Sequence, residues 1–355
     1  MTYDILHVVG ARPNFAKMAP VYRELCNLRV TQKILHSGQH YDKNMSLDFF
    51  EDLGIPEPDV SLKATGRTHA EKTSSIMVGI EKALSTDKPS IVCVYGDINT
   101  TLAATIVAKK EKIKVAHIES GLRSGDIHMP EEQNRIMVDA ISDIHFVTEQ
   151  SGIDNLTLEG KKDSIHFVGN TMIDSLVSFL AKNPKKESEK YGVVTFHRPS
   201  NVDSKEGILE ILSILESIDI KIFWPIHPRS LASLKKFRCL SRAKRIKNLS
   251  MVEPLSYNAF ISLVNSASLV ITDSGGIQEE TTYMGIPCIT YRSSTERPIT
   301  ITVGTNMLTM NKSEIIKIVS DIGANNFKKS KIPPLWDGSA GNRIALILKR
   351  KLLQI

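Results

Sequence analysis

Asp273-Ser274-Gly275-Gly276-Ile277-Gln278-Glu279-Glu280 follows directly on an apolar run, Ala267 to Thr272, and this junction decides how the chain is read. Val270 and Ile271 carry strand character, Ser274-Gly275-Gly276 form a tight turn with exposed backbone N–H groups, and a helix is expected from Ile277 to Met284. The N-terminus of such a helix is the positive end of the backbone dipole, so the turn suits the phosphates of a nucleotide. A carboxylate beside that turn would repel phosphate, which leaves Glu279 or Glu280 better suited to a ribose diol. A strand-to-helix turn of this kind also occurs with no ligand at all, so the rest of the chain has to decide.

Working outward, the same strand-then-polar pattern recurs. Ile5 to Val9 is an apolar strand before Gly10-Ala11-Arg12-Pro13-Asn14, and a helical pattern runs on through Leu25. Gln32 to His36, Ser90 to Tyr95 before Gly96-Asp97, and Lys114 to Ile118 before Glu119 read as further strands, with a helix from Thr101 to about Lys110. The pattern restarts near Val168-Gly169-Asn170, where Thr171 opens a helix leading into the charged hinge Lys182 to Lys190. Gly192 to Phe196 before His197-Arg198, Lys221 to Pro225 before His227, Ser250 to Val252, Ser268 to Thr272 and Pro287 to Tyr291 form a second series.

Strands alternating with helices predict an α/β protein of two Rossmann-like domains with parallel sheets, spanning residues 1–169 and 170–340. A final helix, about 341–355, is expected to pack back on the first domain. Parallel sheets covered on both faces bind ligands at the carboxyl ends of their strands, which puts Arg12, Asp97 and Glu119 on one rim. Sheets facing across a cleft, with a substrate bridging them, are the expected arrangement.

At 355 residues the chain is long for a single core. It is 41% hydrophobic and 24% charged, and no apolar stretch approaches the length of a membrane span. No basic segment precedes the first apolar run, so a cytoplasmic location is expected. The four cysteines are scattered without Cys-x-x-Cys pairing and are expected to be buried free thiols. The net charge is +6, with seven Lys or Arg between Lys235 and Lys247. With only 6% aromatics and no zinc spacing, that patch reads as a solvated face rather than a nucleic-acid groove. Absence of G-x-G-x-x-G and of a Walker loop argues against a dinucleotide cofactor and an NTPase. Histidines lack the i, i+4 spacing of metal-binding helices, so no metal is expected.

The residues suited to chemistry are acidic on one side and cationic on the other. Asp97, Glu119, Glu131 and Glu132 could remove and return a proton on a sugar carbon, one acting as base and another as acid. Pro130 predicts a helix start that puts Glu131 and Glu132 in the first turn, with Arg135 one turn beyond Glu131 on the same face. Capping that helix is the alternative role for either glutamate. Arg12, Lys17, His197 and Arg297 are the counter-charges for a leaving diphosphate. For Lys17 the alternative is a solvated helix face, for His197 a hydrogen-bonded core histidine, and for His227 the two readings balance.

Together these stretches strongly resemble the non-hydrolysing UDP-N-acetylglucosamine 2-epimerases. The likeness rests on Gly10-Ala11-Arg12-Pro13 with Lys17-Met18-Ala19-Pro20, Ser37-Gly38-Gln39-His40, Tyr95-Gly96-Asp97 and His117 to Asp126. Pro130 to Arg135, His197-Arg198-Pro199, Asp273 to Glu280 and Thr295-Glu296-Arg297-Pro298 complete it. The resemblance implies a glycosyltransferase-B-type fold, a homodimer, no cofactor and a UDP-sugar substrate. It also implies elimination of UDP to a glycal followed by re-addition. By matching motif, Asp97, Glu119 and Glu131 are the acid-base groups, and His197 and Arg12 accompany the diphosphate. Ser274, Gly275, Gly276 and Glu280 hold phosphate and ribose. Gln39, His40, Glu132 and Arg198 match the region where bacterial members bind a second UDP-N-acetylglucosamine as activator. Asn14 stands where many members have Glu, and Pro199-Ser200-Asn201 departs from their Arg-Glu. Gly125-Asp126 favours the simple N-acetylglucosamine form over more decorated UDP-sugars. A hydrolysing relative, a true glycosyltransferase and a non-catalytic nucleotide-sugar sensor are the competing readings.

Overall fold

The computed structural model describes residues 3–39, 50–51, 53–184 and 190–354. The chain divides into two compact units, Met1–Ser178 with Pro334–Ile355, and Phe179–Pro333. Each is built on one parallel sheet.

The sheet of the first unit has seven strands: β1 (Ile5–Val9), β2 (Gln32–His36), β3 (Val60–Ser61), β4 (Ile91–Tyr95), β5 (Lys114–Ser120), β6 (Ile144–Val147) and β7 (Ile165–Phe167). Their order is β3-β2-β1-β4-β5-β6-β7, so the winding reverses between β1 and β4. Side chains alternate along these strands. Ile5 and Val9 with Ile91, Cys93 and Tyr95 face helices Arg12–Asn27 and Ala340–Leu352, whereas Leu6, Val8, Val92 and Val94 face helices His69–Thr86 and Asn99–Lys110. Burial on both faces is why the strands read as uninterrupted apolar runs.

Helix Ala340–Leu352 is fastened to this unit at its start. The Ala340 and Gly341 N–H groups donate to the Asp174 carboxylate at 3.1 and 2.7 Å, an anion at the positive end of a helix. Gly341 lies against Pro20, and a Cβ there would come within 2.7 Å of the Pro20 carbonyl carbon.

The second unit holds β8 (Tyr191–Thr195), β9 (Lys221–Pro225), β10 (Leu249–Val252), β11 (Leu269–Thr272), β12 (Cys288–Thr290) and β13 (Asn306–Leu308). The order is β10-β9-β8-β11-β12-β13, all parallel, and the reversal falls between β8 and β11. Val194, Ile222, Trp224 and Ile271 pack against helices Lys205–Glu216 and Lys312–Gly323, and Val193 and Val270 against helices Tyr257–Asn265 and Gly275–Met284.

Three expectations are revised. β5 continues through Ser120, so Glu119 stands inside a strand rather than after it. The helix expected from Thr101 begins at Asn99. Cys93, Cys239 and Cys288 are buried free thiols, but Cys26 is exposed, because it lies on the outer side of the last turn of its helix. Among the described residues, no helix is long and apolar enough to cross a membrane.

Candidate functional site

In doubly wound sheets, ligands bind beyond the carboxyl ends of the strands that flank the reversal. In the first unit these strands are β1 and β4. The segment after β1 is secured by Asn14. Its Oδ1 accepts from the Gly10 and Ala11 N–H groups at 3.3 and 3.1 Å, and its amide donates to the Tyr95 carbonyl at 3.0 Å. A glutamate at this position could accept the first two bonds, but its carboxylate could not donate the third. Asn14 thereby ties the Arg12 turn to the end of β4, and Arg12 opens the helix, part-exposed.

Three carboxylates sit at this edge, held against two buried cations. Arg135 pairs with Asp97 through Nη1. The same guanidinium reaches Glu132 through Nη2 at 2.7 Å and Nε at 3.0 Å. Glu132 in turn accepts from the Ser124 and Gly125 N–H groups, at 2.9 and 3.0 Å, so it anchors the loop before its helix. Burial pushes the Glu132 carboxyl up, but the Ser124 N–H and Arg135 outweigh it and hold the group below its ordinary range. Glu119, buried, pairs with Lys17, itself buried on helix Arg12–Asn27. Arg135 lies on the same helix as Glu131, one turn beyond it, but its ion pairs go elsewhere. Its acidic partners are Glu132, three residues back, and Asp97 on another element. Glu131 is exposed in the first turn of helix Pro130–Ile141 and takes no part in these ion pairs.

The backbone at this edge is unusual. Glu119 has φ +74°, rare for a residue with a side chain and worth about 1–2 kcal/mol of strain. The register of β5 against β6 slips between Ile118 and Ser120, a bulge that re-aims the intervening side chain. Gly96 and Gly121 flank this arrangement with φ +67° and +82°. At Gly121 a Cβ would meet the Gly152 carbonyl oxygen at 2.4 Å.

In the second unit, the reversal lies between β8 and β11, and the residues just beyond these strands are His197-Arg198 and Asp273 to Gly276. Asp273 is fully buried. It accepts from the His197 N–H at 3.0 Å, the Arg198 N–H at 2.9 Å and the Asn201 amide at 3.0 Å, and faces His197 Nδ1 at 3.1 Å. Burial alone would raise its pKa, but His197, Arg198 and Asn201 prevail and hold it below the ordinary range. Asp273 thus positions the His197-Arg198 loop, and Asn201, the departure from the commoner motif, supplies one of its donors. His197 remains 39% exposed at its side chain.

Ser274 is the N-cap of helix Gly275–Met284 and provides no side-chain cap, so the first-turn N–H groups of this helix have no hydroxyl or carboxylate of the cap residue on them. Any Cβ at Gly275 would stand 2.5 Å from Glu296 Oε1. The two acidic residues of the turn part company. Glu279 is fully buried and its Oε1 lies 2.6 Å from Arg297 Nε, so that arginine is engaged inside the unit through this nitrogen. Glu280 accepts from the Tyr257 hydroxyl at 2.8 Å, and burial pushes its carboxyl up to about 7 against that bond. His227 caps helix Pro228–Lys236, exposed, with its ring centroid 5.4 Å from that of His197. Partial desolvation where its ring lies against the protein, with the charges of His197 and Arg229, lowers its pKa.

The residues matched to an activator region are variously engaged. Gln39 Oε1 accepts from the Thr100 N–H and hydroxyl at 2.9 and 2.7 Å, Glu132 is held as above, and Arg198 Nε donates to the Asp273 carbonyl at 2.9 Å. His40 lies outside the described residues. Sequence reasoning missed Asn14, Asn134, His117, Asp139 and Asn201 as site-building residues. Asn134 donates to the Asp97 carbonyl at 2.8 Å.

The sequence model described as UDP-N-acetylglucosamine 2-epimerase matches residues 24–349. A UDP-N-acetylglucosamine 2-epimerase of Methanocaldococcus jannaschii is 40% identical, over 96% of this chain and 97% of its own. A UDP-2,3-diacetamido-2,3-dideoxy-D-glucuronate 2-epimerase of Pseudomonas aeruginosa is 38% identical, over 86% and 87%. The crystal structure of the M. jannaschii UDP-GlcNAc 2-epimerase in complex with UDP-GlcNAc and UDP matches with a TM-score of 0.90 at 39% identity, covering 98% of this chain and 99% of that one.

Proposed function

The chain belongs to the UDP-N-acetylglucosamine 2-epimerase family, and on that premise we propose that it interconverts UDP-N-acetylglucosamine and UDP-N-acetylmannosamine without releasing free sugar. A carboxylate removes the proton from carbon 2 while the bond from carbon 1 to the diphosphate oxygen breaks, its electron pair leaving with UDP in an anti elimination. A 2-acetamidoglucal remains. Delivery of a proton to the opposite face of carbon 2 and return of the UDP oxygen to carbon 1 complete the inversion, with no net redox change and no cofactor.

The observation that carries this reading is the pair of carboxylates Asp97 and Glu119, each seated on a cation at the edge where a sheet takes ligands. Asp97, Glu119 and Glu131 are assigned the proton transfers. Arg135 and Lys17 orient the first two, and Arg12 and His197 stabilise the departing diphosphate. The first-turn N–H groups at Gly275 and Gly276, with the Ser274 hydroxyl beside them, receive phosphate, and Glu280 receives the ribose hydroxyls. The same reading extends to a cytoplasmic homodimer that supplies polysaccharide assembly.

Proton magnetic resonance of the protein with UDP-N-acetylglucosamine in heavy water tests it. The expected result is a stable mixture of the two UDP-sugars with deuterium at carbon 2. Free N-acetylmannosamine accumulating with UDP would establish the hydrolysing reaction instead, and turnover confined to the 2,3-diacetamido uronate substrate would move the assignment to that UDP-sugar.

A further inference from the structure

We propose that the buried His117–Asp139 pair is a positioning device for the epimerase chemistry, fixing the backbone that carries Asp97 and Glu119. The proposal rests on the reaction assigned above. Both side chains are fully buried. His117 lies on β5, with Nε2 2.8 Å from the Gly96 carbonyl oxygen and Nδ1 2.6 Å from Asp139 Oδ1. A carbonyl oxygen can only accept, so Nε2 donates and holds the residue directly before Asp97.

Asp139, on helix Pro130–Ile141, holds the chain immediately C-terminal to Glu119. The Ser120 hydroxyl donates to its Oδ1, and the Gly121 N–H and Arg123 Nη1 donate to its Oδ2 at 3.0 and 2.8 Å. Burial opposes the charge on Asp139, but His117, Arg123 and Ser120 prevail and hold the carboxyl well below its ordinary range, so it accepts from all its partners. The strained Glu119 conformation is thereby bracketed by Ile118 in the β5 ladder and by Ser120 and Gly121 on Asp139. One residue pair therefore grips the position before one reacting carboxylate and the two positions after the other. That explains why a fully buried charged network is retained in a part of the sheet where apolar packing would fill the space.

The test compares His117→Gln and Asp139→Asn with the wild type, counting active sites by calorimetric titration with UDP and checking folding by near-ultraviolet circular dichroism. Displacement of a reacting group by about 1 Å lowers turnover roughly 10²-fold, so kcat per UDP-binding site should fall by about that factor, with KM changed less than about threefold. A role in stability alone would lower the melting temperature and leave kcat per site intact, and that result in either folded variant overturns the proposal. Should both variants fail to fold, Ser120→Ala decides. It removes one hydrogen bond to Asp139, and kcat reduced about tenfold supports the proposal, whereas unchanged kcat overturns it. A wild type inactive on every UDP-sugar tested would overturn the assigned reaction itself, and this role with it.

Discussion

Replacing Glu280 by Gln should stabilise the protein and weaken its hold on UDP, and the two effects separate by pH. The carboxyl is buried, and its pKa is raised from 4.5 to about 7. Between those values the folded chain binds more protons than the unfolded chain, so stability falls as pH rises from about 4.5 to 7 and the full penalty applies above. A shift of about 2.5 units corresponds to about 3 kcal/mol. Glu280→Gln keeps an oxygen for the Tyr257 hydroxyl and removes the charge, so it should gain up to about 3 kcal/mol over the wild type at pH 8 and almost nothing at pH 4.5. If the ionised carboxylate receives the ribose hydroxyls, its loss removes charge-assisted bonds worth about 1.5–3 kcal/mol, a roughly 10- to 100-fold weaker UDP complex. Melting curves at both pH values and calorimetric titration with UDP measure the two effects. An equal stability difference at pH 4.5 and 8 would refute the buried-carboxylate argument, and undiminished UDP affinity at pH 8 would refute the ribose role.

Asp97→Asn and Glu119→Gln should each lower kcat by about 10²- to 10⁴-fold while UDP affinity stays within about threefold, measured by turnover and titration. Lys17→Met removes the ammonium that pairs with the buried Glu119 carboxylate and should cost about 3 kcal/mol of stability in denaturant unfolding, together with activity. Gly341→Ala drives a methyl group into Pro20 and should destabilise by about 1–3 kcal/mol, read as a lower melting temperature with UDP binding retained. Asp174, raised by burial from 3.8 to about 6, binds its proton more tightly in the folded chain, so stability declines from about pH 4 to 6. Asp174→Asn should flatten that decline, which melting temperatures across pH 4 to 7 would register.

Packing determines which parts of the fold are legible in the sequence. β1, β4, β8 and β11 are buried on both faces, so their apolar runs and the polar residues after them can be read directly, and with them the positions of Arg12, Asp97, His197 and Ser274. Pro130 marks its helix because a proline loses nothing at the first helical position. β3, β7 and β13, two or three residues long, show no period and are not legible, whereas β12, equally short, stands inside the longer run Pro287 to Tyr291 and is read from it. Glu119 is misplaced by the same logic. A bulge inserts its residue without altering the composition of the strand, so nothing in His117-Ile118-Glu119-Ser120 announces that the backbone turns left-handed there.

The partners of the candidate groups are illegible for a different reason. Helical spacing favours Glu131 as the companion of Arg135, since i, i+4 neighbours meet on one face. Glu132, at i, i+3, meets it equally well, and the choice is settled by Asp97, 38 residues away, and by the Ser124 and Gly125 N–H groups that draw Glu132 inward. His117 and Asp139 show the same limit, joined across a strand and a helix 22 residues apart. Asn14 carries the inference further, because its departure from the commoner glutamate acquires a meaning only when the Tyr95 carbonyl is known to face it. A chain read alone can therefore locate the edge at which a parallel sheet takes ligands, since strand ends are written in local pattern. The charges that orient each side chain there belong to tertiary contacts, and it is these contacts that distinguish a buried, paired carboxylate such as Glu119 from a solvated one.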